Sequence, residues 1–89
     1  MNTVKTPNGT VLTFNEKGYP IDSSRGERMR FVFGPSCSAL IKANLGKPLE
    51  EFFDALDSRY SPATVRKWLK ILESAGEIEF REGKWVKKG

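Results

Sequence analysis

The chain of 89 residues is 38% apolar and 11% aromatic, and it carries a formal net charge of +4. This length suits one small domain with a modest core. The sequence has no histidine and only one cysteine, Cys37, so the commonest general base and the usual zinc ligand sets are missing. Neither the GxxxxGK[ST] nor the GxGxxG nucleotide-binding motif occurs. We therefore expect that this protein is not an enzyme and that it has no catalytic residues, no metal-binding residues and no cofactor.

Two features bear on the cellular compartment. No apolar run approaches the roughly 18 residues that span a bilayer, and the first residues lack the apolar stretch of a signal peptide. The single Cys37 cannot form an internal disulfide, which is typical of a reducing environment. We expect a cytoplasmic protein without membrane contact.

The N-terminal third is predicted to be a β segment. β-branched residues flank Pro7-Asn8-Gly9 within residues 3–14, which predicts a β-hairpin or an extended segment. Turn-forming residues dominate 15–27, which is expected to be irregular or mobile. Residues 28–33 alternate charged and bulky side chains, as a strand with one solvent-facing side does.

Three arginines of this region allow two interpretations. Arg25, Arg28 and Arg30 form either a basic arm or the charged protection of a strand edge. The sequence favours neither.

Three helices are predicted next. Ser36 or Ser38 caps the first, which we expect to end at Gly46. Its core-facing residues are predicted to be Ala39, Leu40 and Ala43.

The second helix is predicted to begin at Pro48, a residue favoured in the first turn. Four apolar residues at helical spacing form its core stripe: Leu49, Phe52, Phe53 and Leu56. Its opposite face is expected to be acidic through Glu50, Asp54 and Asp57.

The third helix has both end signals, Ser61-Pro62 at its start and Gly76 at its end. At 100° per residue its apolar arc contains Val65, Trp68, Leu69, Ile71, Leu72 and Ala75. The opposite side contains Ala63, Arg66, Lys67, Lys70, Glu73 and Ser74.

The last predicted element is a β-hairpin of residues 77–81 and 84–88 across the two-residue turn Glu82-Gly83. This turn places Phe80 opposite Trp85, and Ile78 opposite Lys87. Ile78, Phe80 and Trp85 are therefore expected to share the core face.

The charge is unevenly distributed along the chain. Residues 1–35 carry a net +2, residues 36–60 a net −1 and residues 61–89 a net +3. The basic excess thus lies at the two ends, which favours an anionic partner. Ordinary solvated surfaces carry similar excesses, so the charge alone leaves both interpretations open.

The stretch TVRKWLKILESAGEIEFREGKW resembles the recognition helix and wing of winged helix-turn-helix DNA-binding domains. The resemblance covers about residues 36–88 and identifies no subfamily. It implies an α+β fold in which residues 36–89 form a small winged helix-turn-helix domain with three helices and a C-terminal hairpin. Residues 1–35 are then a separate N-terminal β segment.

This resemblance implies a double-stranded DNA-binding protein, such as a small transcriptional regulator, that reads DNA with residues 61–75 and contacts it with a wing, 77–88. The major groove admits one α-helix, and short or donor-rich side chains suit its start. The residues expected to contact DNA are Ser61, Ala63, Thr64, Arg66, Lys67, Lys70, Arg81, Lys84 and Lys87. Arg66 is the best candidate for reading a guanine edge.

Other functions stay open at this point. The same fold serves as a protein-protein interaction module in larger assemblies, which the acidic second helix and the wing residues Glu79 and Glu82 would suit. A regulator of this size is expected to form a homodimer, with the N-terminal segment as the candidate contact. No sensor domain is visible, so we expect no small-molecule ligand.

Overall fold

The computed structural model describes residues 2–26, 29–30 and 34–89. Its elements in chain order are β1 (Asn2–Lys5), β2 (Val11–Phe14), β3 (Pro20–Ser23), α1 (Cys37–Ala43), α2 (Leu49–Asp57), α3 (Pro62–Ser74), β4 (Ile78–Arg81) and β5 (Lys84–Lys87). The fold is a small α+β domain with three helices and a C-terminal two-stranded hairpin. The strand predicted for residues 28–33 falls largely outside the described residues.

The N-terminal strands form an antiparallel sheet in the order β1-β2-β3. The predicted hairpin of residues 3–14 is confirmed, with the backbone N–H of Thr6 donating to the carbonyl of Thr10 across its turn (2.8 Å). The prediction that residues 15–27 are irregular is wrong for β3. Asn15 starts a tight turn back onto β2, and Pro20 opens an edge strand, a position where its missing N–H costs little.

Helix α1 is capped as predicted, since the Ser36 hydroxyl accepts a hydrogen bond from the backbone N–H of Ala39 (3.3 Å). Its core face differs from the prediction. Cys37 and Ile41, four residues apart, are buried, whereas Ala39 and Ala43 are exposed and only Leu40 is partly buried. Ile41 buries far more apolar area than an alanine, and that difference sets which face turns inward. The helix also ends before Gly46, at Ala43.

Helix α2 has the predicted apolar stripe, with Phe52, Phe53 and Leu56 fully buried and Leu49 partly so. The expectation that Asp57 belongs to an exposed acidic face is wrong, because this residue is 3% exposed.

Asp57 is buried because Arg25 and Arg30 cover it. The Arg25 Nε lies 3.1 Å from its Oδ2 and the Arg30 Nη2 3.0 Å from its Oδ1. The two arginine side chains are 7% and 8% exposed, so neither extends as a free basic arm. Arg28, the third residue of that interpretation, lies outside the described residues.

Helix α3 begins as predicted, with Pro62 in its first turn and Ser61 accepting from the N–H of Thr64 (3.4 Å). Within the predicted apolar arc, Val65, Leu69 and Leu72 are buried. Ile71 and Ala75 are exposed, so the buried arc is narrower than predicted.

The C-terminal hairpin has the predicted register, with Phe80 opposite Trp85 and Ile78 opposite Lys87. Glu82 and Gly83 have φ values of 54° and 76°, as the two central residues of a type I′ turn require. Ile78 and Trp85 are fully buried, and Phe80 packs against the core from its edge.

One hydrophobic core joins both ends of the chain. Leu12 of the N-terminal sheet and Tyr19 of the turn between β2 and β3 belong to the same buried cluster as the helices and the hairpin. The buried members are Leu12, Tyr19, Cys37, Ile41, Phe52, Phe53, Leu56, Val65, Leu69, Leu72, Ile78 and Trp85.

Candidate nucleic-acid interface

Helix α3 and the hairpin that follows it are held side by side. Gly76, with φ of 76°, ends the helix, and the backbone N–H of Glu77 donates to the carbonyl of Leu72 (3.1 Å). The hairpin then starts with the fully buried Ile78. Trp85 on the second strand lies 5.3 Å from Phe80 between ring centroids. Ile78 and Trp85 belong to the same buried cluster as Leu69 and Leu72 of α3, so the packing of these residues sets the orientation of the hairpin relative to α3.

The exposed face of α3 carries Ala63, Lys67 and Lys70, three of the residues predicted to contact DNA, together with Ile71. At the start of the helix the Ser61 hydroxyl lies 3.2 Å from that of Thr64 and accepts the capping hydrogen bond from the backbone N–H of Thr64. The small side chains at the helix start leave room for the helix to approach a large surface. The two lysines on its exposed face favour a surface that is anionic.

Arg66 lies on the side of α3 that faces β3. It is partly buried, and its Nη1 donates to the backbone carbonyl of Pro20 (2.9 Å). A guanidinium has five N–H donors, so the bond to Pro20 leaves other donors of Arg66 available. Arg66 thus links the N-terminal sheet to α3 and borders the exposed face.

Tyr19 occupies the seam between α3 and the hairpin, and sequence reasoning missed it. Its hydroxyl donates to Glu73 Oε1, and its ring lies 5.7 Å from that of Trp85. The Lys70 Nζ lies 5.6 Å from the centroid of the Tyr19 ring, within reach of a cation–π contact. No local sequence signal distinguishes this tyrosine from an ordinary loop residue.

The Tyr19 hydroxyl remains a hydrogen-bond donor at neutral pH. Burial, the hydrogen bond to Glu73 and the negative charge of that carboxylate together raise its pKa to about 12, with burial as the largest cause. The Glu73 carboxylate therefore accepts a hydrogen bond from Tyr19, whose ring lies beneath Lys70.

The three hairpin residues predicted to contact DNA, Arg81, Lys84 and Lys87, are all exposed. Arg81 and Lys84 pair with each other across the turn, whereas Lys87 lies at the other end of β5. Arg81 Nε is 3.7 Å from Glu79 Oε1, a solvent-exposed ion pair that contributes little stability. Lys87 instead lines a groove of about 510 Å³ together with Lys42. Arg81 and Lys84 thus lie at the turn end of the hairpin beside Glu79 and Glu82, whereas Lys87 and Lys88 lie at its other end.

Other kinds of site find no support in residues 2–26, 29–30 and 34–89. These residues contain no group of three potential metal ligands among His, Cys, Asp and Glu. Cys37 is buried, and burial raises its pKa to about 11, so its thiol is protonated at neutral pH. No helix in this part of the chain has the length and apolar content needed to cross a membrane.

Comparison of the chain with protein-family models, with curated proteins and with solved structures gives no match.

Proposed function

We propose that this protein binds double-stranded DNA as a small transcriptional regulator, with α3 as the recognition helix and the β4–β5 hairpin as the wing. The observation that carries this proposal is the exposure of Lys67 and Lys70 on α3 and of Arg81 and Lys84 on the hairpin, which packs against α3 through β4. These four residues are the proposed DNA surface. A winged helix-turn-helix domain presents these two elements to DNA.

The ionic state of this surface supports a polyanionic partner. Within the described residues, Lys67, Lys70 and Lys84 form no ion pair with a carboxylate. Unneutralised cations on adjacent elements repel one another, and a phosphate backbone removes that repulsion while releasing condensed counterions. The net +3 of residues 61–89 is consistent with such a partner.

The roles of the contact residues divide by position. Lys67 and Lys70 bind backbone phosphates, and Ala63 and Thr64 allow the helix start to approach the groove floor. Arg66 keeps its bond to Pro20 and directs its remaining N–H donors to a guanine edge. Ser61 caps α3, and Lys87 lies at the end of β5 away from the turn.

The test measures binding to a random-sequence duplex pool between about 50 and 200 mM salt. Lys67→Ala/Lys70→Ala is compared with Lys5→Ala/Lys47→Ala, a control that removes the same charge elsewhere on the surface. We expect wild-type binding whose salt slope falls by about 2 in the α3 variant only, since each phosphate contact contributes about 0.9. Absence of binding by the wild type at about 50 mM salt would overturn the proposal.

A second candidate function is a protein-protein interaction module, favoured by Ile71, which is 44% exposed on the same face of α3. An apolar side chain beside two lysines suits a protein groove as well as a thymine methyl group. The variant Ile71→Ser separates the two. It leaves the salt slope of DNA binding unchanged under the first proposal, since no cation is lost.

The proposal includes a homodimer through the N-terminal segment. Helix α3 has 13 residues, so one copy reads only a few base pairs, and two half-sites supply the missing specificity. Light scattering of the complex with an enriched duplex counts the copies bound, and two per duplex is the expected result.

A further inference from the structure

The turn between β2 and β3, residues 15–19, contacts both elements of the proposed DNA surface at once. The Gly18 carbonyl accepts a hydrogen bond from the indole Nε1 of Trp85 on the hairpin (2.9 Å). The adjacent Tyr19 donates to Glu73 on α3 and lies beneath Lys70. The turn is therefore docked where helix and hairpin meet.

The contact with the hairpin is close enough to require glycine. Gly18 has φ of 85°, and a Cβ built on it would lie 2.5 Å from Cδ1 of Phe80. Both the backbone conformation and the space exclude a larger residue without movement of the turn or of the aromatic ring. The turn thus has one well-defined position against the hairpin.

The turn is also internally braced. The Asn15 Oδ1 accepts hydrogen bonds from the backbone N–H groups of Lys17 and Tyr19, each at 3.0 Å. The backbone N–H of Gly18 donates to the Asn15 carbonyl (3.0 Å). Lys17 is consequently held at the exposed tip, one residue from the Phe80 contact and two from the ring beneath Lys70.

We propose that this turn is a third DNA-contacting element, in which Lys17 binds a backbone phosphate next to those bound by α3 and the hairpin. The inference rests on the proposed function and extends it to the N-terminal segment. Lys17 has the same character as Lys70 and Lys84: it is exposed and makes no ion pair among the described residues. Tyr19 acts as a positioning residue, because it holds the turn against α3 and engages Glu73.

The experiment measures duplex binding of wild type, Lys17→Ala and Lys5→Ala across the same salt series. Lys5 is the matched control, an exposed lysine at the opposite end of the same sheet. We expect Lys17→Ala to weaken binding about 5- to 10-fold at 0.1 M salt and to lower the salt slope by about 0.9. Lys5→Ala is expected to stay within about 2-fold of wild type.

A second variant tests the placement of the turn. Gly18→Ala keeps every charge but displaces the turn from Phe80, and it is expected to reproduce the loss seen for Lys17→Ala. If the wild type binds the duplex and Lys17→Ala binds it equally well, the inference is overturned and the proposed function stands. Failure of the wild type to bind at all would overturn both.

Discussion

Asp57 carries the most concentrated set of polar contacts on α2. Besides its two arginines, it accepts a hydrogen bond from the Ser23 hydroxyl (2.7 Å). Removing the charge of a buried carboxylate leaves its cationic partners uncompensated, which costs about 3–5 kcal/mol. We therefore expect Asp57→Asn to lower the free energy of unfolding by about 3 kcal/mol, measured by urea denaturation.

Asp54 supplies the control for this prediction. Its side chain is 25% exposed, and its contact with Arg25 is long, 3.5 Å. Asp54→Asn is expected to cost less than about 1 kcal/mol, as exposed pairs do. Equal effects of the two substitutions would show that burial of Asp57 is not what makes its charge important.

The hairpin turn offers a prediction about one element. Glu82 is the only residue other than glycine with positive φ in the part of the chain that the structure describes. Asparagine tolerates this left-handed conformation better than glutamate does, and Asn-Gly is the preferred type I′ pair. Glu82→Asn is expected to stabilise the protein by about 0.5 kcal/mol, seen as a higher Tm.

Glu82→Gln separates conformation from charge in that experiment. It removes the same negative charge but keeps a side chain without the left-handed preference. A gain in Tm as large with glutamine as with asparagine would contradict the conformational explanation.

Elements with a local signal could be predicted from the sequence. The stripe of α2, the capped start of α3 and the register of the hairpin each depend on residues a few positions apart. Strand β3 was missed because it exists through pairing with β2, and that ladder shifts register between Thr13 and Phe14.

The candidate site shows the same division between local and distant contacts. Exposure of Lys67 and Lys70 followed from helical periodicity. The bond from Arg66 to Pro20 joins residues 46 apart, and that from Trp85 to Gly18 joins residues 67 apart. Neither leaves a periodic trace in the sequence, so the role of the N-terminal segment beside α3 could not be predicted. Contact of Arg66, Lys67 and Lys70 with DNA stays a prediction.

The N-terminal segment and the helical part of the chain depend on each other. Leu12 and Tyr19 complete the core, and the Gly18 carbonyl satisfies the buried indole N–H of Trp85. Arg25 and Arg30 neutralise Asp57 on α2. Hydrophobic, hydrogen-bonding and ionic links therefore all cross between the two parts.

This dependence predicts a single cooperative unfolding transition for the intact chain. Far-ultraviolet circular dichroism, which reports the helices, and tryptophan fluorescence, which includes the fully buried Trp85, are expected to give one midpoint. Two separated midpoints would show that the N-terminal sheet opens on its own.

A fragment of residues 36–89 tests this dependence directly. It retains all three helices and the hairpin but exposes Trp85 and leaves Asp57 without its arginines. Loss of the buried Leu12 side chain alone removes about 1.5–3 kcal/mol, and uncovering Trp85 adds to that loss, against the roughly 5–15 kcal/mol that stabilises a domain. We expect the fragment to show no cooperative transition, and a peptide of residues 1–35 added in trans to restore the helical signal. A fragment that unfolds cooperatively with the midpoint of the intact chain would instead make the helical part an independent domain, with the N-terminal sheet as an appendage to it.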